Sequence, residues 1–176
     1  MAVRQIITDQ QHKVLRGKAK RVSRLDDFVR RLIDDLIDTM RAAPGVGLAA
    51  PQVGVPLRVI VIDYEDQLYT VVNPEIVKSS GEETDEEGCL SAPHWQGPVS
   101  RATNLVVKGR DRNWKEIRVR AEGWLARIFQ HEIDHLDGIL FLDRVCDREQ
   151  IHWIEPEPDG AQPARRTAPA AATADL

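Results

Sequence analysis

The stretch that most constrains this chain is Ala121–Gly138, AEGWLARIFQHEIDHLDG. It contains His131-Glu132-Ile133-Asp134-His135, an H-E-x-x-H motif. On an α-helix, residues four apart lie on one face about one turn apart. His131 and His135 can therefore aim two imidazole nitrogens at one point, with Glu132 able to reach a water held there. Two neutral imidazoles and a proton-accepting carboxylate suit metal-assisted attack on a carbonyl. The helical frame is supported by apolar residues at Trp124, Leu125, Ile128, Phe129, Ile133 and Leu136, in steps of three and four. Gly138 stands where a helix would stop in a left-handed cap. A chance H-E-x-x-H should occur in roughly one chain in a hundred of this composition. Either His alone would be read as a core histidine; the pair with Glu132 in a helical frame points to a metal site.

The rest of the composition narrows the class. A chain of 176 residues is long enough for one domain with a sizeable core. Its net charge of −4 does not predict a direct nucleic-acid footprint. No apolar run approaches the length of a membrane span, so no membrane partner is expected. The first ten residues, MAVRQIITDQ, lack an apolar signal core, and a cytoplasmic location is expected. The two cysteines, Cys89 and Cys146, are expected to be thiols in that compartment, and a thiol can bind metal.

Along the chain, residues 1–22 read as a segment packed across the domain. Ser23-Arg24-Leu25-Asp26 reads as a capping box with Ser23 as N-cap, opening a helix that runs to about Ala42. Its apolar stripe is Leu25, Phe28, Val29, Leu32, Ile33, Leu36, Ile37 and Met40, which predicts core packing and no chemistry. Pro44 ends it, and Gly45–Gly54 is a run of small residues around one polar side chain, Gln52. Two glycines there allow close backbone approach to a ligand or strand; a plain turn is the bland account. Leu57–Asp63 reads as a buried strand and Leu68–Asn73 as a second, broken at Asn73-Pro74 with a third to follow at Glu75–Ser80. The acidic run Glu82–Glu87 reads as a solvated loop leading into Glu87-Gly88-Cys89-Leu90-Ser91. Asn104–Lys108 and Glu116–Arg120 read as a hairpin, and Cys146 as a small buried hydrophobe. The Pro/Ala-rich composition from residue 155 predicts a catalytic domain over 1–154 and a disordered tail over 155–176.

A hydrolytic metal site needs three protein ligands and an open position. A third His six residues after His135 is absent, because position 141 is Phe. A downstream glutamate has little scaffold, because Glu155 and Glu157 fall in the Pro-rich tail and Glu149 has no helix of any length around it. An upstream thiolate, Cys89 in its tight Glu-Gly-Cys-Leu-Ser loop, is chemically sound. Ligand type alone then favours zinc and leaves iron, cobalt and nickel open.

Three motifs stand together here: Gly45-Val46-Gly47-Leu48-Ala49-Ala50-Pro51-Gln52, Glu87 to Ser91, and Gln130-His131-Glu132-Ile133-Asp134-His135. In this order they resemble the peptide deformylases over about residues 1–150. The resemblance implies a hydrolase that removes the formyl group from the initiator methionine of new polypeptides and releases formate, in the N-terminal processing step of bacterial protein synthesis. It implies that Cys89, His131 and His135 bind ferrous iron, which zinc, nickel or cobalt can replace. It implies that Glu132 takes a proton from the attacking water and passes it to the leaving amine, while the Gln52 amide and the Leu90 backbone N–H hold the oxyanion. Gly47 would hydrogen-bond the substrate backbone, and Val46, Trp124 and Ile128 would line the methionine pocket. The implied fold is α+β, with antiparallel sheets around the central H-E-x-x-H helix and the N-terminal helix outside. Partners would be N-formylmethionyl nascent peptides, with transient ribosome association through the tail. Trp114 stands in the hairpin turn where family members often carry glycine. An internal-peptide protease is disfavoured by the missing third His. A non-catalytic binding module is disfavoured because no motif residue is lost, and a structural zinc site because no fourth ligand is apparent.

Overall fold

In the computed structural model, residues 2–155 are described. The Pro/Ala-rich tail predicted from residue 155 lies, apart from Glu155, outside them.

Strand β2 (Val59–Tyr64) is the layer on which everything is stacked. It is buried on both faces: Val59 and Val61 belong to one apolar cluster, Ile60 and Ile62 to another. That is why it reads as a continuous apolar run rather than an alternating one. On one face lies helix α2 (Asp27–Ala42), after the short α1 (Lys13–Arg16); on the other lies α3 (Gly123–Leu136). β2 sits in a five-stranded antiparallel sheet with β1 (Gly47–Ala49), β3 (Gln67–Ser80), β6 (Asn104–Arg110) and β7 (Glu116–Glu122), in the order β1-β2-β3-β6-β7. A second antiparallel sheet, β4-β5-β8, is made of Glu83–Cys89, Ala92–Arg101 and His152–Trp153. The expected α+β architecture, strands around the H-E-x-x-H helix with the N-terminal helix outside, is the one observed. Among the described residues no helix is long and apolar enough to cross a membrane.

Five local expectations need correction. The acidic run Glu82–Glu87, read as a solvated loop, is strand from Glu83 onward, and its last residue, Glu87, is buried. The cap of α2 is Asp26, whose carboxylate accepts from Val29 N–H at 2.9 Å, and not Ser23. Both side chains can cap; Asp26 also puts a negative charge at the positive helix end. Phe28, assigned to the apolar stripe, is 47% exposed, because only the side of α2 facing β1 and β2 is covered. Asn73-Pro74 does not break the strand. β3 continues through a bulge there, with the register against β6 shifting between Val72 and Glu75. Asn73 (φ 54°) leaves the ladder and pairs its amide with both the N–H and the carbonyl of Val22, each at 2.8 Å. Cys146 is exposed rather than buried. The last side chain of that segment to enter the small core formed by Ala92, Val99 and Phe141 is Val145.

The N-terminal segment crosses the domain as expected. The Ala2 and Arg4 backbone N–H groups bond Asp35 and Thr39 of α2, and Ala19 N–H bonds the Leu136 carbonyl at the end of α3. Gly138 adopts φ 75°, and a Cβ there would land on the Arg16 carbonyl, so the helix stop requires glycine twice over. Trp114 takes a left-handed φ of 68° in the β6–β7 turn. Its ring packs on the α2 cluster, and the Arg110 guanidinium lies 5.0 Å above it.

Candidate active site

Three elements meet in one cleft. α3 supplies His131, Glu132 and His135 from its inner face. The β4–β5 turn supplies Cys89, because β4 and β5 pair tightly and end with Cys89 opposite Ala92. β1 and the 3-10 turn after it, Ala50–Val53, supply Gly47 and Gln52.

The Cys89, His131 and His135 ligand atoms all lie within 4.8 Å of one another. Cys89 Sγ is 3.3 Å from His135 Nε2. Bonds of about 2.0–2.3 Å to a tetrahedral ion would set neighbouring donors roughly 3.3–3.8 Å apart, so this pair fits a shared cation. The His131 ring donates from Nδ1 to Glu87 at 3.0 Å, which turns its Nε2 toward the centre of the cluster. Ser91 N–H points to Cys89 Sγ at 3.4 Å. The thiolate-and-imidazole donor set suits zinc and ferrous or neighbouring divalent ions alike.

Gln52 is fixed from its other end. Its Oε1 accepts from Ala49 N–H at 2.9 Å, so its Nε2 faces Cys89 Sγ, at 3.6 Å, and Ser91 Oγ, at 3.2 Å. Glu132 is buried, with Oε2 lacking a hydrogen-bond partner. A Cβ on Gly47 would land on its carboxylate, so the first motif's glycine and the third motif's glutamate occupy adjoining space. Among the protein's own groups, burial pushes Glu132 up to about 7; the nearby Glu87 charge adds to this, and His131 and Arg101 oppose it. Burial and the His131 charge push His135 well below its ordinary value. Burial acts the same way on His131, but bonds to Cys89 and Glu87 outweigh it and raise His131 well above that value. Gln130, the first residue of the third motif, points away from the cleft and clamps α3 to Ala102 through its N–H and its carbonyl, at 3.0 and 2.9 Å.

Val46, Gly47, Leu90, Trp124 and Ile128 line the same cavity of about 520 Å³ as Cys89, His131 and Glu132. All ten residues singled out from the sequence are thus in or against one cleft. A second cavity of about 530 Å³, bordered by Arg21, Lys108, Arg110 and Arg118, lies on the β6–β7 face and contains none of them.

Glu87 was missed in this role. It is 4% exposed, with its carboxylate gripped by Arg101 Nε and Nη2 at 2.9 and 3.0 Å, by Arg127 Nη1 at 2.9 Å and by His131. Burial alone would raise its affinity for protons, but the bonds and charges of Arg101 and His131 hold it far below the usual carboxylate range. Arg101 also binds Asp134, which in turn takes both arms of Arg144, at 2.6 and 3.1 Å. The available signal was Arg127 and Asp134, charged residues four before and three after His131 on a helix expected to be buried.

Comparison with known proteins agrees with this geometry. The profile of the family described as Polypeptide deformylase matches residues 3–150. A peptide deformylase of Thermomicrobium roseum is 49% identical over 166 residues, covering 89% of this chain and 94% of the relative. One of Halothermothrix orenii is 56% identical over 134 residues, covering 75% and 87%. The crystal structure of a peptide deformylase from Legionella pneumophila superposes with a TM-score of 0.81 at 45% identity, covering 85% of this chain and 89% of that one. The profile spans nearly the whole described chain and takes in all three motifs that build the cleft; this chain belongs to the polypeptide deformylase family.

Proposed function

We propose a division of labour among these residues in the family's reaction. The chain is a hydrolase that removes the N-formyl group from new polypeptides, breaking the formyl C–N bond and releasing formate and a free amino terminus. Cys89, His131 and His135 hold the metal, with Glu87 fixing the His131 ring. An ion held there would supply Lewis acidity for attack of water on a carbonyl.

Glu132 accepts the proton of the attacking water and delivers it to the departing amine. A buried carboxylate beside the three donors, with one oxygen free of protein partners, suits both transfers. The Gln52 Nε2 and the Leu90 backbone N–H stabilise the negative charge that grows on the formyl oxygen; loss of one such donor costs about a hundredfold in rate. The Ala49 bond that pins Gln52 Oε1 keeps the donor end of the amide toward the cleft throughout. Gly47 hydrogen-bonds the substrate backbone along the free edge of β1, and Val46, Trp124 and Ile128 receive the methionine side chain. The ion in the cell is ferrous iron, replaceable by zinc, nickel or cobalt. The reaction takes place in the cytoplasm, with transient ribosome contact.

The observation that carries this reading is the convergence of the three donors, Glu132 and the Gln52 amide in one cavity. The test is formate release from a formyl-Met tripeptide by protein loaded anaerobically with ferrous iron, alongside Glu132→Gln. The variant should keep its metal and lose on the order of 10²- to 10⁴-fold in kcat. A metal-loaded variant within tenfold of the parent would remove Glu132 from the role.

A further inference from the structure

The cavity of about 530 Å³ on the β6–β7 face shares no residue with the cleft, and it gathers positive charge in a chain whose net charge is −4. Arg21 from the N-terminal segment and Lys108, Arg110 and Arg118 from β6 and β7 border it. The bulge in β3 forms part of its wall. There the Asn73 amide leaves the ladder and binds both backbone groups of Val22, which anchors the chain next to Arg21 against the sheet. Gly109 lets β6 close on the bulge, because a Cβ there would collide with the Val71 side chain and stand 3.0 Å from the Val72 carbonyl.

Two observations set these cations apart from scattered surface charge. Lys108 and Arg118 are direct partners in the β6–β7 ladder, so their side chains leave the same face. Like charges placed opposite one another in a ladder destabilise it. The second observation is incomplete neutralisation. Lys108 Nζ has Glu75 at 3.3 Å, and Arg110 Nη2 has Glu116 at 3.1 Å. Among the described residues, neither Arg21 nor Arg118 forms an ion pair, and both are exposed. Arg110 is also held in place: its Nη1 donates to the Trp114 carbonyl at 2.8 Å while the guanidinium lies over the Trp114 ring.

We propose that this recess is a binding site for a small di- or triphosphate, held by the Arg21, Lys108, Arg110 and Arg118 side chains. Guanidinium and ammonium groups are the natural partners of phosphate oxygens. Four cations answered by two carboxylates call for more than one phosphate, and the volume is that of a small-molecule site. No lining residue is aromatic, so the recess lacks the stacking platform on which single-stranded nucleic acids are held. An anion seated between Lys108 and Arg118 removes their mutual repulsion.

The test is calorimetric titration of the full metal-loaded chain with tripolyphosphate, a nucleoside triphosphate and a short single-stranded RNA at low salt. Tripolyphosphate should bind, and Arg118→Gln and Arg21→Gln should each weaken it roughly tenfold. Arg30→Gln, which removes an exposed cation from α2, should leave it within about twofold. Formate release by Arg118→Gln should also stay within about twofold of the parent, so that a failure of the recess and a failure of the cleft are read separately. A nucleoside triphosphate that binds as tightly as tripolyphosphate would name a nucleotide's phosphate tail as the ligand; weaker binding would name a free phosphate chain. No binding up to about 1 mM tripolyphosphate would overturn the site. So would binding that survives in both recess variants, as it would if the anion bound the metal. Binding of RNA without binding of tripolyphosphate would also overturn it, and would give the surface to a nucleic-acid backbone.

Discussion

The two helices that cover β2 have similar lengths and amphipathic patterns but bury different chemistry. α2 buries Val29, Leu32, Ile33, Leu36, Ile37 and Met40, and its two buried polar residues, Asp35 and Thr39, are bound by the N-terminal segment. α3 buries Ala126, Phe129, Ile133 and Leu136 on one side, and Arg127, Glu132, Asp134 and His135 on the other, with Ile128 among them facing the cleft. A helix can bury an apolar face against a sheet with no other help. A helix that buries charge must recruit partners, since an unpaired buried ion is strongly disfavoured. The second sheet supplies them: Glu87 from β4 and Arg101 from β5 are the counter-charges without which α3 could not keep its polar side inside. The α2 face is therefore a stability element, and the α3 face a site maintained at some cost in stability.

This contrast can be broken first at Glu87. Glu87→Ala leaves Arg101 and Arg127 buried without their shared carboxylate. Denaturant unfolding should show a loss of about 3–5 kcal/mol, and equilibrium dialysis should show metal binding roughly 10- to 100-fold weaker. A variant that unfolds like the parent would mean that the network is not needed to keep α3 polar inside. The same residue sets an acid limit. Glu87 is held ionised in the folded state, below its ordinary value of 4.5. Below that value the unfolded chain takes up a proton that the folded chain refuses, so the stabilisation present at neutral pH declines as acidity rises. Glu87→Gln should flatten stability against pH below about 4.5, with little change in slope above it.

On the other face, Leu36→Ala should cost about 2–5 kcal/mol, because Leu36 is fully buried in the α2 cluster. Its kcat/KM at a temperature where the variant remains folded should stay within about twofold of the parent, since an apolar truncation there leaves the cleft in place. A large drop in kcat with metal retained would show that the two faces of β2 are mechanically coupled. The smallest effect is expected at the cap: Asp26→Ala should lower stability by about 1 kcal/mol and Ser23→Ala by much less, read from the shift in denaturation midpoint.

What could be read in advance follows the same division. The α2 stripe, the doubly buried β2 and the β6–β7 hairpin are local patterns, and local patterns show in a single chain. The three motifs were legible because each packs its functional side chains into a few consecutive residues. Glu87 lay inside one of them and was still taken for part of a solvated acidic run. Nothing in Glu82–Glu87 shows that Arg101, 14 residues on, and Arg127, 40 residues on, close over its last carboxylate. No local pattern shows the pairing of Trp153 with Trp95 either, because it joins two distant segments.

By itself, then, the sequence determined which chemical groups stand together in its motifs: two imidazoles and a carboxylate on one helix, a thiol in a tight loop after a glycine, and an amide after a glycine pair. Tertiary structure alone decided how they face one another. The Ala49 N–H chose which end of the Gln52 amide looks into the cleft. The Gly47 backbone gave Glu132 its space, and the second sheet neutralised the charges that α3 carries inward. These are relations between segments far apart in the chain. They depend on distance, burial and the direction of single hydrogen bonds, none of which a local pattern of residues specifies.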